Sequence, residues 1–342
     1  MKKILVILTG GTIGSCVQGE VISAKVERSA EIVGRYEALY GKQDFYEVVQ
    51  PINELSENLQ PGNWEPIMEA LDEALKKDYD GIIVTHGSDT LAYTSAFMAL
   101  RYAYAKIPVV FIAANYPLDD ERSNGMQNFA GAVTFIHEQV ATGVYTIYEN
   151  MNSEVEVFLP TRMLGSDPYF DQYQNFDRQV FGWIKDNKFV ANGKCPVSLE
   201  MVQNRKSDIA EKLTFEYENE VLFIQTYLGI NFKHYKCTER TKAVLIWLYH
   251  SATGPINEEA GLVDFIKECN KSGIQVYGAS FKSDHMSFYQ TTHLLLQKGM
   301  KPMINISSVA AYAKLVLAYN QKQINVEELL GNNIFFENLE NI

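Results

Sequence analysis

The sequence is poor in cysteine, has no concentration of positive charge and contains no long apolar run. Its four cysteines, Cys16, Cys195, Cys237 and Cys269, lie far apart without a Cys-x-x-Cys pair, so neither a zinc site nor a disulfide framework is signalled and they read as ordinary thiols. The six histidines form no metal-ligand spacing, and no metal or other cofactor is expected. Lys and Arg total 30 against 42 Asp and Glu, a net charge of −12 with no block of like charges behind it. Nucleic-acid binding draws its affinity largely from Lys and Arg neutralising phosphates, so a nucleic-acid partner is not expected. No stretch is long enough to span a bilayer, which takes about 20 apolar residues. After Met1-Lys2-Lys3 only Ile4–Leu8 is apolar before Thr9-Gly10-Gly11, too short for a signal-peptide core. These absences leave a cytoplasmic protein with no membrane attachment and a small-molecule ligand. No repeat of fixed period appears.

What is present is ordinary for a folded chain: 46% apolar and 21% charged residues, which excludes disordered, collagen-like and low-complexity classes. At roughly 150 residues per domain, 342 residues suggest two. Ile4–Leu8, broken by Gly10-Gly11, has the pattern of a strand buried on both faces of a parallel sheet. Trp64, Ile67, Leu71 and Leu75 mark one face of a helix, with Asn63 as its cap. Gly81–Thr85 is a second apolar strand, followed by a turn and a helix over Leu91–Tyr104, and Ile107–Ile112 begins a third unit. Strand, loop and helix in repeated order predict a parallel sheet with helices on both faces. From Tyr145 to Val190 the chain is rich in aromatics and short strand-like pieces such as Val155–Leu159. Lys194–Glu220 is more polar and contains Arg205-Lys206-Ser207-Asp208. Alternation resumes with a strand at Ala243–Leu248, a helix face of Leu262, Phe265, Ile266 and Cys269 ended by Gly273, a strand at Ile274–Gly278 and a helix over Ser308–Asn320. The predicted class is α/β. A larger N-terminal three-layer α/β/α domain with a mostly parallel sheet spans residues 1–195, a linker 196–219, and a smaller C-terminal α/β domain 220–342.

In a parallel α/β sheet, ligands sit beyond the carboxyl ends of the strands. The loop after the first strand reads Thr9-Gly10-Gly11-Thr12-Ile13-Gly14. It has neither Gly-x-Gly-x-x-Gly spacing nor a Gly-Lys-Ser/Thr ending, which argues against a dinucleotide or nucleoside triphosphate. Its glycines suit a close approach of backbone to a small ligand, with the Thr12 hydroxyl exposed at the turn; alternatively Thr12 only caps the segment that follows. The loop after the second strand, Thr85-His86-Gly87-Ser88-Asp89-Thr90, brings a second hydroxyl and a carboxylate to the same crevice. Asp89 or Thr90 can equally serve as N-cap of the helix that begins at Leu91. His86 reads as a satisfied turn residue rather than an acid–base group. Tyr102 and Tyr104 read as core or interface.

The pair Thr9-Gly10-Gly11-Thr12-Ile13 and His86-Gly87-Ser88-Asp89-Thr90-Leu91 resembles the two signatures of the bacterial L-asparaginase family, including its glutaminase-asparaginase members. Each stands directly after an apolar strand, and the order is the family's. Ser56-Glu57-Asn58 resembles the substrate-carboxylate loop, Gly182–Lys188 the hairpin that closes the first domain, and Gly273-Ile274-Gln275-Val276 a strand of the second. The resemblance implies that Thr12 attacks a side-chain amide carbon, is acylated as ammonia leaves, and is freed by water. Ser88, a threonine in most members, would form a triad with Asp89 and a lysine. Asp89 would also bind the α-ammonium and Ser56 the α-carboxylate, with Gly11, Glu57 and Gly87 completing the substrate-binding set. A hydroxyl needs a base to become a nucleophile at neutral pH, and the oxyanion needs N–H donors, which a glycine-rich loop offers. The family's sites lie between subunits, which implies a homodimer or homotetramer.

Departures from the family pattern are equally specific. Aligned on the closing hairpin, the triad lysine falls in Leu159–Met163, where the residue is Arg162. A guanidinium stays charged and has no acceptor, so Arg162 can hold Asp89 and polarise Ser88 but cannot act as base. Lys185 belongs to the hairpin and is a poor substitute. The loop from Gly14 to Glu27 lacks the Tyr or Thr that members carry on a mobile lid; Ser15 and Ser23 stand in. No carboxylate occurs in Phe288–Lys298, where a supporting acid would be sought. Glu57 beside Asp89 would favour an ammonium-bearing ligand. The aromatic segment Tyr169–Tyr173 is expected at the pocket mouth or at an oligomer contact. Two readings follow: an amidohydrolase acting on asparagine or a related small amide, or an amino-acid-binding protein in which catalysis is reduced. A third, a subunit releasing ammonia for a partner enzyme, is least expected, since such members carry an extra N-terminal domain and this chain begins with its first strand.

Overall fold

Five apolar side chains in succession at Ile4–Leu8 have no polar face to offer, so both faces of that strand must be covered, and each of these residues is at most 3% exposed. The computed structural model describes residues 1–18, 21–24, 31–206, 208–283 and 287–339. The chain divides into two units, Met1–Lys212 and Leu213–Ile342. Among the described residues no helix is long and apolar enough to cross a membrane.

The first unit is built on an eight-stranded sheet. Its strands are β1 (Lys3–Leu8), β4 (Phe45–Val49), β5 (Gly81–Thr85), β6 (Pro108–Ile112), β7 (Gly143–Glu149), β8 (Val155–Phe158), β9 (Gly182–Lys185) and β10 (Lys188–Ala191). They run in the order β10-β9-β8-β7-β6-β5-β1-β4. From β7 to β4 every pairing is parallel, and the three pairings from β7 to β10 are antiparallel. Parallel neighbours need crossovers, supplied by α1 (Glu31–Tyr40), α2 (Trp64–Ala74), α3 (Leu91–Arg101) and α4 (Gly125–His137). Between β1 and α1 lies the hairpin β2 (Ser15–Gln18) and β3 (Val21–Ala24). The β9–β10 hairpin turns on Asp186 and Asn187, with φ of 51° and 57°, the left-handed pair that a two-residue turn between twisted strands requires.

Some local expectations change. Asn63 precedes α2 but makes no capping bond to it; its Oδ1 instead accepts the Gln60 N–H at 2.7 Å, closing the preceding turn. Tyr102 is core, fully buried, its hydroxyl donating to the Met68 carbonyl at 3.0 Å. The polar segment around residue 200 carries two short helices, α5 (Leu199–Gln203) and α6 (Asp208–Glu211). Arg205 there donates from Nε and Nη2 to the Ala103 carbonyl at 3.0 and 2.8 Å. Ser207 lies outside the described residues.

The second unit has a four-stranded, wholly parallel sheet in the order β11 (Glu220–Gln225), β12 (Thr241–Trp247), β13 (Gln275–Phe281) and β14 (Lys301–Ile304). Val244, Ile246 and Val276 pack with Leu262, Phe265 and Ile266 of α7 (Leu262–Lys271). Gly273, at φ 75°, ends that helix in the left-handed conformation. Helices α8 (Gln290–Gln297), α9 (Ser308–Tyr319) and α10 (Val326–Gly331) complete the unit. Lys314 on α9 forms a fully buried ion pair with Glu337 at 2.8 Å, whose carboxylate also accepts the N–H groups of Ile334 and Phe335. Cys237 and Cys269 are free thiols whose sulfurs approach to 3.8 Å.

Candidate active site

Three loops meet at the carboxyl ends of β1 and β5. Thr9, at the end of β1, donates from its hydroxyl to the Thr85 carbonyl at 2.8 Å, tying the two strand ends together. Its own carbonyl accepts the Glu54 N–H at 3.1 Å, drawing in the loop that carries Ser56. Glycine makes the junction possible. Gly11 holds φ 78°, and a Cβ there would lie 2.5 Å from both Cα and N of Gly87. A Cβ on Gly87 would lie 2.5 Å from Ser56 Oγ. A side chain on Gly11 would strike the Gly87 backbone and one on Gly87 would strike the Ser56 side chain, so glycine suits both positions.

The junction gathers the expected residues to different degrees. Ser56, 3% exposed, donates from Oγ to Asp89 Oδ2 at 3.0 Å. Thr90 donates from Oγ1 to the Ser56 carbonyl at 2.9 Å; it is the N-cap of α3 by position, but its side chain makes no capping bond to the helix. The hydroxyl expected as a helix cap thus locks the Ser56 loop instead. Thr12 and Ser88 follow directly on Gly11 and Gly87, and both are half-buried. Thr12 opens a short 3-10 turn, Thr12–Gly14, that Gly14 closes by donating to the Gly11 carbonyl. Asp89 and Glu57 are exposed, placing two carboxylates where an ammonium in solution can reach them.

Arg162 lies in the turn Pro160–Arg162 after β8. The sequence allows it to hold Asp89; the structure shows an ion pair with Asp177, Nη1 to Oδ2 2.6 Å, with both side chains almost wholly buried. Nothing in the sequence marked Asp177 for this role.

His86 is fully buried beneath the second loop. Its Nδ1 lies 2.8 Å from the Gly87 carbonyl oxygen and so carries the proton, while Nε2 has no partner among the described residues. The ring is therefore only half satisfied. Burial pushes its pKa down to about 4, against upward pulls from the Gly87 carbonyl and the Asp89 charge. A neutral imidazole with one free buried nitrogen is no acid for a substrate.

Tyr173 is the residue that sequence reasoning left unplaced. Tyr169 and Phe170 are 86% and 57% exposed, whereas Tyr173 is 2% exposed and donates its hydroxyl to the Ser88 carbonyl at 2.5 Å. The only signal for it in sequence was the density of aromatics just past Arg162. Ser15 and Ser23 lie on the β2–β3 hairpin, opposite Ala24 and Cys16; their side chains lie outside the described part of the structure. No group of three or more His, Cys, Asp or Glu side chains is gathered as a metal ion would require, among the described residues.

Comparison with known proteins bears on the family and the fold. Residues 3–166 match the family described as asparaginase, N-terminal. A subunit of the glutamyl-tRNA(Gln) amidotransferase from Thermoplasma acidophilum is 37% identical over 140 residues, 39% of this chain and 32% of that one. That alignment spans less than a third of the relative. The corresponding amidotransferase subunit from Metallosphaera sedula is 28% identical over 96% of this chain and 76% of its own. Among solved structures, the L-asparaginase from Thermococcus kodakarensis superimposes with a TM-score of 0.78 over 99% of this chain and 100% of that one, at 22% identity. At that identity the likeness is one of fold.

Proposed function

The chain belongs to the asparaginase family through its N-terminal domain, and from that premise we propose that it is an amidohydrolase releasing ammonia from L-asparagine or a related small amide. Thr12 is the nucleophile. It attacks the amide carbon, the tetrahedral oxyanion is met by N–H groups of the glycine-rich junction, and ammonia leaves an acyl ester on Thr12 that water hydrolyses. Ser88 sits with Asp89 to activate the nucleophile or the water. Ser56 takes the substrate's α-carboxylate and Asp89 its α-ammonium, with Gly11, Gly87 and Glu57 around them. The observation that carries this reading is the Ser56–Asp89 hydrogen bond of 3.0 Å at a junction where Gly11 and Gly87 meet. It supports the reading by pairing the hydroxyl and the carboxylate that would take an α-carboxylate and an α-ammonium, at the meeting point of the loops that carry Thr12 and Ser88.

Arg162 favours a second reading, an amino-acid-binding protein with little turnover, because a guanidinium held by Asp177 is no base. Loss of general base catalysis costs on the order of 10²–10⁴ in rate, which leaves a slow enzyme rather than a silent one. The relatives named as glutamyl-tRNA(Gln) amidotransferase subunits widen the candidate substrates to glutamine and the candidate partners to another protein that consumes the ammonia. Ammonia release from asparagine and glutamine by wild type and Thr12→Ala tests the proposal. Turnover that falls by about 10³-fold or more in Thr12→Ala is expected for loss of a covalent nucleophile; turnover indifferent to the change removes it, and tight aspartate binding without turnover favours the second reading.

A further inference from the structure

The connection between β8 and β9 is long and irregular, yet parts of it are fixed in detail. Asn150 receives the Tyr173 N–H at Oδ1 and donates from Nδ2 to the Tyr173 carbonyl, both at 3.0 Å, so one buried amide holds both backbone groups of Tyr173. The Tyr173 ring stands edge-on to Tyr148, centroids 4.8 Å apart and planes at 82°. Tyr148 in turn donates to the Asp171 carbonyl at 2.9 Å. Arg162 and Asp177 pin the same connection from a different turn. All this order delivers one phenol to the Ser88 carbonyl.

Ser88 needs such support. It follows Gly87, whose lack of a side chain leaves the backbone there with wide conformational freedom in isolation. We propose that Tyr173 is a positioning residue for Ser88: its hydroxyl fixes the Ser88–Asp89 peptide and thereby aims the Ser88 side chain at the reacting amide. The functional half of this inference rests on the amidohydrolase reading. Burial raises the Tyr173 pKa well above the ordinary phenol value, so the group remains a donor throughout the working range. A hydrogen bond into the Ser88 carbonyl also polarises that peptide and strengthens its N–H, which belongs to Asp89, as a donor toward the ligand. The Ser88 hydroxyl must be held to a fraction of an ångström in the transition state, whereas Asp89, an exposed carboxylate, tolerates small movements when it meets an ammonium.

The test compares Tyr173→Phe with Tyr145→Phe in the full chain. Both remove one buried phenolic hydroxyl that donates to a carbonyl, but Tyr145 bonds Thr142 at 2.9 Å, at the start of β7. Ammonia release is measured with asparagine and glutamine, and hydrogen exchange is followed in the peptide covering Gly87–Leu91. Tyr173→Phe is expected to lower kcat about tenfold with KM within about twofold, the effect of one lost buried hydrogen bond felt mainly in the transition state. Exchange at Gly87–Leu91 should quicken by about tenfold, and Tyr145→Phe should do neither. A kcat for Tyr173→Phe within about twofold of wild type, or an equal loss in Tyr145→Phe, overturns the inference. If wild type releases no ammonia from either amide, the amidohydrolase reading falls and exchange alone decides. Faster exchange in Tyr173→Phe but not Tyr145→Phe then upholds the positioning role, and equal exchange in both refutes it.

Discussion

His86 links the state of the second loop to pH through burial rather than through catalysis. An unfolded histidine titrates near 6.5, and in the folded chain burial lowers this to about 4. Between those values the unfolded chain binds a proton that the folded one refuses. Stability from this group is therefore fully present above about pH 6.5 and is lost as pH falls toward 4, a total on the order of 3 kcal/mol. Urea unfolding of wild type and His86→Gln at several pH values between 7.5 and 4 should show the advantage of wild type shrinking by that order as pH falls. An advantage that stays constant with pH would mean that His86 titrates normally. In sequence, the residue type and its place in the signature were legible, but the lack of a partner for Nε2 among the described residues was not, because it depends on everything packed above the ring. Arg162 shows the same limit from the other side. Its chemistry could be read from the chain, whereas its partner Asp177 stands 15 residues away along an irregular connection.

At the scale of elements, the site is a junction of three loops that only glycine allows to close. Gly87 is the sharper test because its Cβ would meet the Ser56 side chain rather than backbone. In Gly87→Ala, Ser56 must shift and its bond to Asp89 is lost, so L-aspartate affinity measured by calorimetry should fall by about tenfold or more, with a stability cost of roughly 1–3 kcal/mol. Gly34→Ala in α1, where a new Cβ meets nothing within 4 Å, should leave affinity unchanged and raise stability by up to about 1 kcal/mol. Wild-type affinity in Gly87→Ala would show that the Ser56–Asp89 contact is not used for binding. The strands that aim these loops were plain from the chain, since runs such as Ile4–Leu8 and Gly81–Thr85 have no polar face. The loops' mutual contact was not, because it rests on missing side chains. Asn63 and Thr90 make the same point. Both stand where helix caps belong, but Asn63 turns back to Gln60 and Thr90 reaches across to Ser56. A side chain with two possible backbone partners is decided by tertiary geometry, not by its position in the sequence.

Across the whole chain, the two units differ in how much they reveal. The matched family segment, residues 3–166, falls within the first unit, where the signature loops lie and where every proposed site residue stands. The second unit is an orderly parallel sheet with a nearly all-apolar helix, Ser308–Tyr319, and its most unusual feature, the buried pair Lys314–Glu337, joins residues that no sequence pattern would connect. The net charge of −12 tells little by itself; Asp89 and Glu57, exposed beside Ser56, are the part of it that the proposed ammonium site would use. The proposal that one small amino acid is held by Ser56 and Asp89 with its side chain at Thr12 is tested most directly by a crystal structure of the full chain with L-aspartate. The expected result is the α-ammonium on Asp89, the α-carboxylate on Ser56 and the side-chain carboxylate beside Thr12 and Ser88. Aspartate bound elsewhere, or an empty junction at saturating ligand, would contradict it.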